Sequence, residues 1–156
     1  MTIKQLPVNI DGAGRRVGIV LSRFNAPIGE RLIAGARKAL REHGVADADV
    51  LLVTVPGALE TPLALQYLAQ TGRFQALVAL GAVIRGETYH FEIVANESAA
   101  GVSSVALEFG VPVGNGILTT ESDEQALVRA EQKGFEAVQA ALEMANLSAA
   151  IADHEN

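Results

Sequence analysis

Short apolar runs that alternate with helical patterns constrain this chain more than any other feature of its sequence. The runs are Val17 to Leu21 (VGIVL), Val50 to Val55 (VLLVTV), Ala76 to Leu80 (ALVAL) and Val111 to Leu118 (VPVGNGIL). The first three are apolar at consecutive positions, as a strand covered on both faces requires. The fourth is less regular, with Pro112 near its start and two glycines inside. Between the runs, Ile28, Leu32, Ile33, Ala36 and Leu40 follow helical spacing and end at His43-Gly44, a stop signal. Leu59 to Gly72 suits a shorter helix with Pro62 in its first turn, where the missing N–H removes no bond. Phe91, Val94, Ala95, Ser98, Val102, Val105 and Phe109 mark a long helix that stops at Gly110. Ser122 and Gln125 then form a capping box, from which a helix runs to about Gln132, and a second helical stretch covers Phe135 to Leu147.

Strands alternating with helices imply right-handed crossovers and a parallel sheet. The expected fold is an α/β, three-layer, flavodoxin-like sandwich with a four-stranded sheet, in one domain spanning residues 1–156. Leu6 to Ile10 reads as a further strand within an N-terminal arm, residues 1–12, free to join a neighbouring subunit's sheet. The last six residues, IADHEN, read as a flexible solvated tail. The chain is 49% hydrophobic, but no apolar run approaches the roughly 18 residues of a membrane span. Its start lacks the apolar segment of a secretory signal, so a cytoplasmic protein is expected. The absence of cysteine excludes disulfides, thiolate nucleophiles and cysteine metal sites. A net charge of −6 with scattered basic residues, and only 4% aromatics, argue against nucleic acid as a partner.

Ligands of open α/β sheets bind at the carboxyl ends of the strands. That rule selects Ser22-Arg23-Phe24-Asn25, Pro56-Gly57-Ala58-Leu59-Glu60, Gly81 to His90 (GAVIRGETYH) and Thr119-Thr120-Glu121. Phe24 offers either a packing residue for the next helix or a flat face for a planar ring. Glu60 suits the positive end of a helix, or hydrogen bonds to a polyol. Arg85-Gly86-Glu87-Thr88 forms a glycine-containing turn before a helix, a place where free backbone N–H groups suit a phosphate. His90 lies at that edge and is the natural proton-transfer group near neutral pH; the bland alternative is a capping or packed histidine. His43 at a helix C-terminus and His154 near the chain end have simpler explanations. Gly12 to Gly18 precedes its strand and has the wrong spacing for a dinucleotide fingerprint. Glu87, His90 and Glu92 could be drawn around a metal, but no histidine has a helical partner at i+4, and no metal is expected. The residues alone reach a cytoplasmic α/β protein that binds a phosphorylated small molecule, with one acid–base histidine.

Four blocks carry a resemblance to a known family. They are SRFN (Ser22 to Asn25), VPGALETP (Val55 to Pro62), GAVIRGETYHFEIVANESAAGV (Gly81 to Val102) and GILTTES with EQA (Gly116 to Ala126). In order and spacing they resemble the lumazine synthases, and the similarity runs from about Val8 to Leu147. The resemblance implies condensation of 5-amino-6-(D-ribitylamino)uracil with 3,4-dihydroxy-2-butanone 4-phosphate to 6,7-dimethyl-8-ribityllumazine, a transferase step of riboflavin biosynthesis. It implies that Phe24 stacks on the pyrimidine and that Ala58, Leu59 and Glu60 hold the ribityl chain. Ala82, Val83 and Ile84 would line the ring pocket, Glu87 and Thr88 would bind the butanone phosphate, and His90 would move protons. Asn115 and Arg129 match positions that the family supplies from the adjacent subunit, Arg129 to the phosphate. Asn25 and Lys133 are further candidates.

No step of that condensation is a redox step, so no cofactor is expected. The family assembles as homopentamers, in some members twelve of them in an icosahedral shell, and riboflavin synthase is a further partner that the resemblance allows. This sequence departs from the family at Asn115, where many members carry phenylalanine. It departs again after Arg129, where Glu131-Gln132-Lys133-Gly134 stands for a longer glycine-rich connection. The alternative reading is a non-catalytic member of the fold, either a lumazine or flavin binder or a shell protein.

Overall fold

The computed structural model describes residues 1–154. Strand β1 (Val17–Ser22) leads to helix α1 (Ala26–Glu42), β2 (Val50–Val55), α2 (Thr61–Gln70), β3 (Ala76–Ile84), α3 (His90–Phe109), β4 (Val113–Thr120) and α4 (Asp123–Asp153). Two single 3-10 turns, Asp47–Asp49 and Ala58–Glu60, precede β2 and α2. The strands form one parallel sheet in the order β2-β1-β3-β4. The expected flavodoxin-like sandwich is the fold observed.

Strand periodicity divides the core in two. Successive side chains of a strand point to opposite faces. Val17, Ile19, Val78, Leu80 and Ala82 therefore pack under α1 and α4, with Leu32, Ala36, Val138 and Leu142. Val20, Leu77, Ala79 and Val83 face α2 and α3, with Leu65, Leu68, Val102 and Val105. Central strands β1 and β3 are buried on both sides, as their unbroken apolar runs predict. The same expectation fails for β2. Leu51 and Leu52 are 44% and 40% exposed. β2 is an edge strand with one neighbour, beyond the area that the helices cover.

Helix ends follow local chemistry. α1 carries Pro27 in its first turn and closes at His43, after which Gly44 takes the left-handed conformation with φ 80°. α3 ends at Gly110 in the same way, φ 64°. At the start of α4, Ser122 Oγ accepts from the Gln125 N–H at 3.2 Å, and Gln125 Oε1 accepts from the Glu121 N–H at 2.8 Å. The box expected from Ser122 and Gln125 is present, with its return bond one residue earlier than the simplest form.

Two expectations about the C-terminal third are corrected. The residues after Gln132 do not start a second helix, because α4 is continuous from Asp123 through Gly134 to Asp153. Gly134 is not a stop but a crossing point with α1. A Cβ there would fall on the Leu32 carbonyl, and one on Gly35 would fall on the Glu131 carbonyl. Paired glycines let the two backbones touch, and tertiary packing outweighs the roughly 1 kcal/mol that glycine costs inside a helix. The expected tail is also shorter. Ile151, Ala152 and Asp153 are the exposed last turn of α4, and Glu155 and Asn156 lie outside the described residues.

The N-terminal arm forms no strand within this chain. Its root is fixed. The buried Asn146 amide donates to the carbonyls of Asn9 (3.0 Å) and Asp11 (2.9 Å), while its Oδ1 accepts from Arg15 Nε at 2.8 Å. Among the described residues, no helix is long and apolar enough to cross a membrane.

Candidate active site

The sheet order creates a switch point. From β1 the chain passes through α1 to β2 on one side, and from β2 through α2 to β3 on the other. A crevice opens beyond the carboxyl ends of β1 and β3, where such folds bind ligands. A cavity of about 360 Å³ occupies that place.

Each wall comes from a different strand end. After β1, Asn25 adopts φ 64°, a left-handed conformation that asparagine tolerates better than most residues. Phe24 beside it remains 64% exposed and lines the cavity. A core-packing role for Phe24 is inconsistent with that exposure. After β2, the 3-10 turn contributes Ala58, Leu59 and Glu60, with Gly57 before it. The far end of β3 supplies Ala82, Val83 and Ile84. These three, with Gly81, were expected in a strand-end loop but lie within the strand, because β4 stays in register with β3 as far as Ile84 opposite Thr120. Gly86 and Thr88 follow, and the first turn of α3 closes the cavity with His90, Phe91 and Val94.

His90 is the first residue of α3, and its imidazole lies exposed on the cavity. Among the described residues, the backbone N–H groups from Gly86 to Phe91 make no hydrogen bond within the chain; the first bonded amide is that of Glu92, to the Tyr89 carbonyl at 3.1 Å. Unsatisfied amides at a helix start are the donors an anion uses. Arg85 spans the base of the same connection. Its Nη1 meets Glu92 Oε1 at 2.6 Å, its Nε meets Glu121 Oε2 at 2.8 Å, and its guanidinium lies 4.5 Å from the centre of the Phe91 ring. Hydrogen bonding to Glu92 and then to Glu121 raises the Arg85 pKa, and the bond from Arg85 holds the Glu92 carboxyl below its ordinary range. Glu92 is thus engaged by Arg85.

Eight of the residues singled out in the sequence converge on this cavity: Phe24, Ala58, Leu59, Glu60, Ala82, Val83, Ile84 and His90, with Thr88 as a ninth. Five do not line it. The Asn25 amide reaches Asp123 at 3.4 Å, and Glu87 lies in the exposed connection. Asn115 sits in edge strand β4, its Oδ1 accepting from the Ile117 N–H at 3.0 Å. Arg129 is exposed on α4 with Nη1 on the Gln125 carbonyl at 2.8 Å, and Lys133 lies one turn further along that helix. Among the described residues, the cavity wall therefore contains Glu60 and His90 but no lysine or arginine. Gly57 and Gly86, from the selected strand-end segments, also line it, whereas Phe91 and Val94 were read only as core positions of a helix. The apolar face of α3 reads as core, yet His90 and Val94 stand at i and i+4, which would have placed both on the site side.

The chain is similar to proteins of one named family. Residues 14–149 match the family model described as 6,7-dimethyl-8-ribityllumazine synthase. A protein of that name from Paraburkholderia phymatum is 59% identical over 151 residues, 97% of this chain and 88% of the relative. One from Burkholderia multivorans is 58% identical over the same shares of each chain. One from Ralstonia nicotianae is 57% identical over 145 residues, 93% of this chain and 88% of the relative.

Proposed function

The chain belongs to the 6,7-dimethyl-8-ribityllumazine synthase family, and from that premise we propose that the cleft beyond β1 and β3 is its reaction site. The activity is that of the family, a transferase step of riboflavin biosynthesis. The substrates are 5-amino-6-(D-ribitylamino)uracil and 3,4-dihydroxy-2-butanone 4-phosphate. The observation that carries the reading is the convergence, at one switch point, of an exposed aromatic face, a carboxylate, and a histidine beside unpaired helix-start amides.

The chemistry follows from those groups. Phe24 stacks on the pyrimidine, Asn25 steadies the turn behind it, and Glu60 accepts hydrogen bonds from the ribityl hydroxyls. Backbone groups of Ala82 to Ile84 border the ring. The butanone phosphate lies against Glu87, Thr88 and the free amides. The uracil's primary amine attacks the ketone carbonyl, and loss of water gives an imine. Phosphate then departs with its C–O bond electrons as a proton leaves the adjacent carbon. The enol left behind takes up a proton on carbon to become a methyl ketone, the ribityl-bearing nitrogen adds to that carbonyl to close the second ring, and a further water is lost. His90 takes and returns protons in these steps, which is worth roughly 10²–10⁴-fold. Holding two reactants in one orientation supplies much of the remaining acceleration. Each step is an addition, elimination or proton transfer, so the residues suffice without a redox cofactor.

A cation strengthens phosphate binding by amides, and among the described residues the cavity wall has no lysine or arginine. Arg129, with its planar fork, and Lys133 share one face of α4 at i and i+4. We infer that they and Asn115 complete the site of an adjacent subunit, so that the working unit is at least a homopentamer, with a twelve-pentamer shell as the larger form. The arm, rooted at Asn146, adds Leu6 to Ile10 to the open edge of a neighbour's sheet. The apolar edge strand β2, with Leu51 and Leu52 exposed, is the edge in need of cover. The cytoplasm is the compartment that fits a cysteine-free chain of this activity, and riboflavin synthase is the partner that would consume the product.

Turnover decides between this reading and a non-catalytic binder or shell protein. Purified protein given both substrates should release phosphate and form the lumazine without added metal or nucleotide. A bound ligand without product, or activity that vanishes with chelator and returns with a divalent ion, would overturn it.

A further inference from the structure

The connection from Arg85 to Tyr89 carries Gly86 and Thr88 to the cavity and ends at His90. Gly86, Glu87 and Thr88 make no hydrogen bond to the rest of the chain among the described residues. Nothing inside the connection fixes its course, so its two ends must do so. The Arg85 N–H is bonded to the Thr120 carbonyl at 2.9 Å, which anchors the near end to β4. The far end is the first turn of α3, and Tyr89 at its cap makes no side-chain capping bond. One side chain spans the gap. Arg85 reaches Glu92, two residues beyond His90, at 2.6 Å, and Glu121 at the start of the β4–α4 turn at 2.8 Å. Its plane lies over Phe91, the cavity residue next to His90, at 4.5 Å.

We propose that Arg85 is a positioning residue, a latch that sets where His90 and the amides of the 86–88 connection stand relative to the ends of β3 and β4. The proposal rests on the reading of the cavity as the reaction site. An exposed single ion pair contributes little to stability. Two carboxylates on one fork, with a ring beneath it, fix geometry more than they add stability, because the planar guanidinium meets each partner in a set direction. Lysine has one point charge and cannot hold Glu92 and Glu121 through separate nitrogens in fixed directions. The misplacement of a reacting group by about 1 Å can cost on the order of 10²-fold in rate. The effect should therefore appear in turnover and in phosphate-ester binding, not in binding of the uracil, whose contacts at Phe24 and Glu60 lie on other strand ends.

The test is steady-state kinetics on the assembled enzyme, with each substrate varied, for wild type, Arg85→Ala, Arg85→Lys, Glu92→Gln and the double variant Arg85→Ala/Glu92→Gln, beside His90→Ala. Arg85→Ala should lower kcat about 10- to 100-fold and raise KM for the butanone phosphate several-fold, with KM for the uracil within about twofold. Arg85→Lys should recover part of kcat. Glu92→Gln should lose much less in the Arg85→Ala background than in wild type, because the partner is already gone. Unchanged kcat in Arg85→Ala would overturn the latch. So would an equal rise in both KM values with a fall in Tm, which is the pattern of general destabilisation. If instead wild type itself gives no product, or His90→Ala turns over like wild type, the reading of the cavity falls and the latch falls with it.

Discussion

Helix α1 contains two glycines for which one substitution should have opposite effects. At Gly35, an added Cβ would stand 2.7 Å from the Glu131 carbonyl carbon and 3.1 Å from its Cα, with the carbonyl oxygen nearer still. Non-bonded carbons rest at about 3.5 Å or more, so α1 must withdraw from α4 by roughly 0.8 Å on that carbon alone. The obstacle is backbone and cannot rotate away. Overpacking of this kind costs about 1–3 kcal/mol and occasionally more, against about 1 kcal/mol that alanine gains over glycine in a helix. We expect Gly35→Ala to lose up to about 2 kcal/mol net, which for a domain of this size lowers Tm by up to about 4–8 °C. At Gly29, the added Cβ meets only the two Leu21 methyls, at an ordinary 3.6 and 3.9 Å. Gly29→Ala should therefore gain about 0.5–1 kcal/mol. Urea and thermal unfolding of the three proteins at one protein concentration make the comparison, since any self-association would make Tm depend on concentration. If Gly35→Ala proves as stable as Gly29→Ala, close backbone contact is not what joins the two helices.

Three further outcomes are expected. His90→Ala should lower kcat by roughly one to three orders of magnitude with a smaller effect on substrate binding, measured at saturating substrates; an unchanged kcat would make His90 a spectator. Co-assembly of His90→Ala with Arg129→Ala subunits should give activity above either parent, because some interfaces then pair an intact His90 with an intact Arg129; no recovery in proven mixed particles would refute the shared site. The Glu92 carboxyl is held below its ordinary range by Arg85, so its stabilising effect is complete above the unfolded carboxylate value of about 4.3. That effect is lost as pH falls through the folded value. The stability gap between wild type and Glu92→Gln should accordingly be present at neutral pH and close in acid, and a gap independent of pH would exclude the ion pair as its source.

The layering and most of the candidate site are legible in the chain's local patterns. Runs such as VGIVL and ALVAL are apolar at successive positions, and only a strand covered on both faces hides such a run. The stops at Gly44 and Gly110 were legible because a left-handed turn favours glycine whatever surrounds it. Phe24, Glu60 and His90 were legible because the topology of a parallel sheet sends strand ends to one rim. Tertiary structure decided what depends on neighbours distant in the chain. Gly134 reads as a break, since its local preference is against helix, yet it lies inside α4 because α1 crosses there at Gly35. VLLVTV reads as a buried strand, yet β2 lies at an edge, since strand order is fixed by crossovers that no local pattern encodes. Arg85 reads as one more loop cation. Its reach to Glu92 and Glu121 exists only after β3, α3 and β4 have been brought to the same rim, which local sequence pattern does not specify.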